Sequence, residues 1–573
     1  MLHLKLEERL RAAVASVLPD ADASAVQVRP CPDPKFGDYQ TTSLMTFAKE
    51  RKMNPRQLAT DVLQKLDVAE WCEKVEIAGA GFLNFRVRTS AVAHELQSAL
   101  RNEHLFFRKT PSPRTIVIDF SSPNVAKPMH VGHIRSTILG ESLARVLRLL
   151  GHRVITDNHI GDWGTQFGML LVGWKRELDR AALEKDPIGE MERLYKKISA
   201  EPDPAVREQA RQELVKLQQG DEANRAIWRE MIALSQVQFD TIYRRLGVKF
   251  DHTLGESFYN ARLQPLVSEL RSGGIARESE GASAVFFEDV PALEEQPAII
   301  QKSDGGFNYT TTDLATLEYR LKTWKPDEII YVTDSRQQLH FQQVFTTFRK
   351  WRPDTRVKLM HVWFGSILGE DGKPFKTRSG ETVKLSDLLD EAEERAFAVV
   401  SEKNKELPEA QRREIARVVG IGAVKYADLL SNRQSDYVFS WEKMLAHEGN
   451  TAVYLLYAYA RTRSVLRNAA ADGGVLPNPE TQILLSAAHE IALAKHLLRF
   501  GLVIEAVAED YRPNFLSNYL YDLAALFSGF WVNCPVLKAE PAERASRLAL
   551  CELTGRVLKH GLELLGIETL EQM

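Results

Sequence analysis

Cysteine is scarce. The 573 residues contain four, Cys31, Cys72, Cys534 and Cys551, and no two lie in a C-x-x-C pair. That excludes a zinc ribbon and a disulfide framework as the basis of the fold, and the usage suits a reducing compartment. Long apolar runs are lacking too: no stretch approaches the roughly 20 residues of a membrane span. The opening MLHLKLEERLRAAVASVL has a helical apolar period broken by Glu and Arg, so it predicts an amphipathic helix rather than a secretory signal. These absences predict a cytoplasmic protein with no membrane partner. A large charge excess is also missing. The net charge is -3, so a nucleic-acid partner would have to be met by a local basic surface. No internal repeat or low-complexity tract is present.

What is there is an ordinary balance of 44% hydrophobic and 26% charged residues, enough to build true cores, over a length that predicts several domains. Residues 1–110 read as a small α+β module, with a helix, a Pro/Asp-rich loop and a Gly-punctuated strand, VEIAGAGFLNFRV. RKTPSPR is a linker. Residues 111–385 open with TIVIDFSS, a β-branched run typical of a buried parallel strand. The amphipathic helix HIRSTILGESLARVLRLL follows, with Gly151 as its stop, and then the strand HRVITDNH. This is a βαβ unit opening a doubly wound, Rossmann-like sheet. A charged helical insertion occupies about 170–250, after which DEIIYVTDSRQQLHFQQVFTTFRK and KLMHVWFGSI restore the α/β alternation. Residues 386–445 read as a helical connector and 446–573 as an all-α bundle.

The chemistry concentrates at SSPNVAKPMHVGHIRST, where a loop leaves a buried strand and enters a long helix. A helix N-terminus offers unpaired N–H groups and partial positive charge, suited to phosphate. Gly132 leaves room for a flat base. His130 and His133 bracket it and can donate hydrogen bonds as charge develops on an α-phosphate, with Lys127 as a nearby cation. The plainer reading is that the two histidines only cap a helix. A metal site is disfavoured because no ligand cluster lies nearby, and a dinucleotide fold because no G-x-G-x-x-G follows the strand.

His130-Val131-Gly132-His133 resembles the HIGH signature of class I aminoacyl-tRNA synthetases. SSPNVAKPMHVGHIRST and DNHIGDWGTQFGML resemble the arginyl family in particular. The match continues through GESFYN, GFNYTTTDLAT, TDSRQQLH, GKPFKTRSGETVKL, GIGAVKYADLLSNR, EGNTAVYLLYAYAR and YLYDLAALFSGFW, so it spans essentially the whole chain. One departure stands out. The second class I signature, K-M-S-K-S, is incomplete: its loop, 372–380, keeps Lys376, followed by Arg378, flanked by glycines as a mobile phosphate clamp would be. Lys127 is then expected to supply part of the missing charge on the triphosphate.

Arginine's guanidinium is planar and permanently charged, with five donors, and a selective pocket needs acidic acceptors in fixed geometry. The candidates are Asp119 at the end of the first strand, Glu256 in Gly255-Glu256-Ser257, and Tyr309 with Asp313, four apart at a helix start. Each acid taken alone reads by default as a surface or capping carboxylate. The resemblance implies that Glu256, Tyr309 and Asp313 face the guanidinium. It implies that Ser122, Asn124, His133 and Gln337, with Pro123 in the same loop, hold the α-amino and carboxylate groups. Which end Asp119 serves stays open. Lysine, a point charge, cannot satisfy bidentate acceptors, so no editing domain is needed, and none is apparent.

In the terminal bundle Tyr454, Tyr457 and Arg461 fall at i, i+3 and i+7. Such a stripe is core packing by default, but it also makes a platform on which splayed bases stack, at about 1–3 kcal/mol each. Trp531 is a second platform, and Arg463 and Arg467 could meet phosphate. In the N-terminal module, which resembles the domain of arginyl enzymes that contacts the tRNA elbow, Phe36, Tyr39, Phe82, Asn84 and Phe85 are either base-contacting residues or that domain's core. The resemblance thus implies ligation of L-arginine to tRNA(Arg) with ATP and Mg²⁺, without zinc, by a monomer that needs bound tRNA to activate arginine. A second reading is a synthetase relative that acts as an amino-acid sensor or RNA-binding protein without catalysis. Another HIGH-type nucleotidyltransferase or a cysteinyl-like enzyme is disfavoured by the pocket acids.

Overall fold

The computed structural model describes residues 1–375, 382–473 and 475–573. They form two compact units: residues 110–445 with 564–567, and residues 1–109 with 446–563 and 568–573.

The first of these carries a five-stranded parallel sheet. Its elements are β1 (Thr115–Phe120), α1 (Val131–Leu149), β2 (Arg153–Asn158), β3 (His252–Thr253), α2 (Tyr309–Trp324), β4 (Glu328–Val332), α3 (Gln338–Trp351) and β5 (Lys358–His361). The strands lie in the order β5-β4-β1-β2-β3, all parallel, with β1 central. Ile116, Val117, Ile118 and Phe120 are buried on both faces, as a parallel strand covered by helices on either side requires. α1 stops where Gly151 turns into the left-handed region at φ 90°. Five helices between 166 and 246 separate β2 from β3. Between β3 and α2 lies a small antiparallel sheet of Ala276–Ser279, Ala282–Val285 and Ala298–Gln301, which the sequence pattern did not reveal. The helices Leu385–Lys403 and Glu409–Leu430 follow, and Asp428 of the second receives Arg135 of α1 at 3.1 Å.

In the other unit, the stretch read as one strand, VEIAGAGFLNFRV, is a hairpin. Cys72–Ala78 and Phe82–Val87 pair antiparallel because Gly79 (φ 51°) and Gly81 (φ 134°) reverse the chain between them. They belong to a four-stranded antiparallel sheet with Tyr39–Thr41 and Arg29–Pro30. The same unit holds helices Ala452–Ala471, Ala488–Leu497, Phe500–Asp510, Asn514–Asn533 and most of Pro541–Leu564. The two ends of the chain meet in it. Lys495 pairs with Asp38 at 2.8 Å, and Arg556 Nη1 donates to the Ala99 carbonyl at 2.9 Å. No helix among the described residues is long and apolar enough to cross a membrane.

Candidate active site

β1 delivers the chain into a loop that three non-glycine residues hold in the left-handed region: Ser121 (φ 75°), Ser122 (φ 49°) and Ala126 (φ 62°). Each such conformation costs about 1–3 kcal/mol and persists only where its surroundings over-determine it. Here they do. Ser121 N–H donates to Ser136 Oγ at 2.8 Å, Ser122 N–H to Asn158 Oδ1 at 3.0 Å, and Ala126 N–H to Ser235 Oγ at 3.0 Å. The Pro123 carbonyl accepts from Gly161 N–H and the Gly161 carbonyl from Val125 N–H, both at 3.0 Å. Asn124 is thereby clamped against Gly161 with its amide exposed, and a Cβ at Gly161 would lie 2.1 Å from Asn124 Oδ1.

The two histidines do cap α1, and the capping prepares them for a second task. Gly132 N–H donates to His130 Nδ1 at 3.1 Å, and His130 N–H donates to His133 Nδ1 at 3.0 Å. Because both Nδ1 atoms accept, a neutral ring must carry its proton on Nε2. Burial, then the charge of Arg336, lowers the His130 pKa. Burial, then His130, pushes His133 down to about 3. Both rings are therefore neutral donors at neutral pH, with centroids 4.0 Å apart. The structure also adds a reason for Gly132 beyond room for a base: a Cβ there would stand 2.8 Å from His130 Cε1 and displace the ring.

Lys127 lies with its Nζ 5.2 Å from the ring of Tyr195, in the inserted helix Pro187–Ser199. Lys376 and Arg378 fall outside the described residues. The chain on either side of them is anchored: Phe375 stacks on Phe439 at 4.6 Å, and Val131 N–H and Leu385 N–H donate to the Val383 and Met129 carbonyls. Lys384, paired to His130 through the backbone, is thus a further cation near the histidines. It stands in the motif GKPFKTRSGETVKL, where a lysine four residues past a glycine carries no local signal of its own.

The candidate arginine-binding acids converge. Tyr309 and Asp313 occupy the first and second turns of α2, and Glu256 opens a short 3₁₀ turn, Glu256–Tyr259. Burial raises the Glu256 pKa to about 8, and the negative charges of Asp313 and Asp162 add to it. Burial and the charge of Glu256 raise Tyr309. Glu256, Asp313, Asp162 and Tyr309 therefore share one electrostatic environment, and no described basic side chain pairs with the Glu256 carboxylate. Asp162, which sequence reasoning missed, is held by Ser257 N–H (2.8 Å) and Ser257 Oγ (2.6 Å), and a Cβ at Gly255 would collide with it at 2.3 Å. His340 was missed too. Its Nε2 meets Asp313 Oδ2 at 2.5 Å, and although burial opposes charge, this carboxylate holds the imidazole above its ordinary pKa. The signal was its position three residues after Gln337 in TDSRQQLH. Gln337 closes the turn Ser335–Gln337 before α3 with its side chain exposed. Asp119 is buried beneath the loop, with its carboxylate on Arg320 (2.6 Å) and the Ser122 hydroxyl (3.1 Å).

In the other unit, Tyr457 is 49% exposed with the Arg461 guanidinium 5.9 Å from its ring centre. Tyr454 is half-buried and its hydroxyl meets Ser528 at 3.3 Å; Trp531 is half-buried. Arg463 and Arg467, which could meet phosphate, stand beside acids: Arg463 by Glu552 (2.9 Å) and Glu571 (3.5 Å), Arg467 by Glu571 (3.9 Å). Tyr39 and Phe85 are core, whereas Phe36 is exposed and Phe82 half-buried. Asn84 shares a strand face with Phe82. It is buried, its Oδ1 has no partner, and it stands between Gln40 and Glu76 on the neighbouring strands.

The family described as tRNA synthetases class I (R), catalytic domain, matches residues 95–441. The Arginyl tRNA synthetase N terminal domain matches residues 4–87, and the DALR anticodon binding domain residues 455–573. The chain belongs to the arginyl-tRNA synthetase family. It is 47% identical to an arginine–tRNA ligase of Chromobacterium violaceum over 100% of both chains, and 46% identical to that of Proteus mirabilis over 99% of each. Among solved structures, the Thermus thermophilus arginyl-tRNA synthetase superposes with a TM-score of 0.85 at 27% identity, covering 100% of both chains. The Plasmodium falciparum arginyl-tRNA synthetase gives 0.84 at 28% identity, covering 100% of this chain and 99% of that one. The family thus spans both units, including the strands and helices at the two chain ends.

Proposed function

We propose that the chain ligates L-arginine to tRNA(Arg) through an arginyl-adenylate, releasing pyrophosphate and then AMP. The observation that carries this reading is the cluster of Glu256, Asp313 and Asp162 with Tyr309, whose three acids outnumber the histidines beside them among the described residues, His340 at Asp313 and His159 near Asp162. A buried surplus of negative charge is costly unless a cation enters, and a planar guanidinium can take several carboxylate and phenol acceptors at once.

In the first step arginine's carboxylate attacks the α-phosphate of MgATP. The Nε2–H groups of His130 and His133, which their caps do not use, stabilise the developing charge without reorganising. Lys127, Lys376 and Arg378 attend the triphosphate. Ser122, Pro123, Asn124 and Gln337 hold the amino-acid end, at the sheet edge where Asp119 anchors the loop. In the second step the terminal ribose hydroxyl of tRNA attacks the adenylate's carbonyl. The protein contributes position and charge, with no covalent intermediate of its own. Tyr454, Tyr457, Arg461 and Trp531 stack and pair with anticodon bases. Phe82 stacks a base of the tRNA elbow, and Asn84, on the same strand face, supports that contact. The reading includes a cytoplasmic monomer that requires bound tRNA to activate arginine.

The test is ATP–pyrophosphate exchange with arginine, with and without tRNA(Arg). Exchange only with both present is expected. Exchange with arginine alone removes the tRNA requirement, and no exchange in either case removes the catalytic reading in favour of a sensor.

A further inference from the structure

α2 carries Tyr309, Asp313 and Arg320 at i, i+4 and i+11, so all three lie on one stripe of the helix. The upper end of that stripe belongs to the arginine pocket. The lower end, Arg320, is fully buried. Its Nη2 donates to Asp119 Oδ2 on β1 at 2.6 Å and to Asp157 Oδ2 on β2 at 2.8 Å, and its Nε reaches the same Asp157 oxygen at 3.2 Å. The link continues upward. Ser122 Oγ donates to Asp119 Oδ1 at 3.1 Å, and Ser122 N–H donates to Asn158, the residue after Asp157, at 3.0 Å. One guanidinium therefore joins the helix that presents Tyr309 and Asp313 to the loop that presents Ser122 and Asn124.

The arrangement is poor as a device for stability alone. One cation faces two carboxylates, and Arg320 Nη1, Asp157 Oδ1 and the Tyr331 hydroxyl are buried without partners. Buried ion pairs return little net stability for their desolvation, but they do fix geometry. The elements they fix here are the two that must hold opposite ends of a single substrate.

We propose that Arg320 is a positioning residue for arginine, setting the separation between the guanidinium-reading helix and the loop that holds the α-amino and carboxylate groups. It touches no substrate. It acts through Asp119 and Ser122 at one end of the pocket and through the seat of α2 at the other. This rests on the assignment of the pocket to arginine given above.

Arg320→Lys tests it. Lysine keeps the charge but has a single donor head, which cannot bridge two strands in a plane as a guanidinium does. The KM for arginine is expected to rise on the order of tenfold or more while the KM for ATP stays within about twofold. Asp157→Asn should raise the arginine KM in the wild-type background and add little in the Arg320→Lys background, since the link it belongs to is already broken. Equal rises in both Michaelis constants, or effects of the two substitutions that multiply, would overturn the proposal. If Arg320→Lys does not fold, Asp157→Asn loosens one anchor of the guanidinium while Asp119 still pairs with it. A higher arginine KM at constant ATP KM is expected there, and an unchanged arginine KM overturns the proposal equally. Wild-type protein that shows no arginine-dependent exchange would remove the pocket assignment instead, whatever the variants do.

Discussion

The imidazole of His133 accepts the backbone N–H of His130 at 3.0 Å through Nδ1, so the atom left to meet a phosphate is an Nε2–H donor. A helix cap and a catalytic donor are thus the same side chain, divided between its two nitrogens. Asparagine at 133 can reproduce the Nδ1 acceptor but not the distant donor. His133→Asn is expected to fold and to lose on the order of 10²–10³ in kcat, the usual cost of one such donor.

The same variant has a signature in pH. His133 is held down to about 3, whereas an unfolded histidine titrates near 6.5. Between those values the unfolded chain binds the extra proton, so the contribution of His133 to stability is present above about 6.5 and is lost as pH falls toward 3. Urea unfolding of wild type and His133→Asn should show the variant gaining on wild type as pH is lowered from about 7 to about 5. A constant difference between the two would contradict a neutral, buried His133.

Glu256 titrates the opposite way. Burial, with Asp313 and Asp162 nearby, raises its pKa to about 8, so much of it is protonated at neutral pH. A guanidinium favours the carboxylate form, and arginine binding should release a proton. The arginine KM is expected to fall as pH rises through about 8, and Glu256→Gln should both raise it and abolish the trend. Calorimetry in buffers of different ionisation enthalpy reads the released proton directly.

Asp313 bonds His340 through one oxygen, leaving the other for substrate. Asp313→Asn is expected to weaken arginine use by about 2–5 kcal/mol, because it removes a charged acceptor and the carboxylate partner of His340 together, while ATP binding stays nearly intact. His340→Asn should weaken arginine use less than Asp313→Asn does, through looser orientation alone. Steady-state kinetics with arginine and ATP varied separately checks both, and equal loss toward the two substrates would indicate misfolding.

Tyr457 is exposed beside Arg461 and does not serve a core. Tyr457→Ala is expected to raise the KM for tRNA by an amount equivalent to about 1–3 kcal/mol, with the KM for arginine unchanged. Tyr459, buried two residues on, should instead show its loss as instability.

The central strand and helix were legible because their signals are local. TIVIDF is a continuous β-branched run, and α1 has a clear apolar face between a capping motif and Gly151. The hairpin at Gly79–Gly81 was misread as one strand because alternation continues across two glycines whose positive φ is invisible in composition. Tyr309 and Asp313 were legible from helical spacing together with the family resemblance. Asp162, His340 and Arg320 were not, since each matters only through a partner remote in sequence: Ser257, Asp313 and Asp119. Nor does any local pattern reveal that the first hundred residues and the last helices pack in one unit, because that rests on contacts such as Asp38–Lys495.

The claim that Glu256, Tyr309 and Asp313 read a guanidinium is met most directly by measuring kcat/KM for tRNA charging with arginine, lysine and citrulline. Arginine should exceed both competitors by roughly 10⁴ or more, lysine failing for geometry and citrulline for charge. Comparable charging with citrulline, which has nearly arginine's shape without its positive charge, would contradict an acidic pocket as the basis of selection.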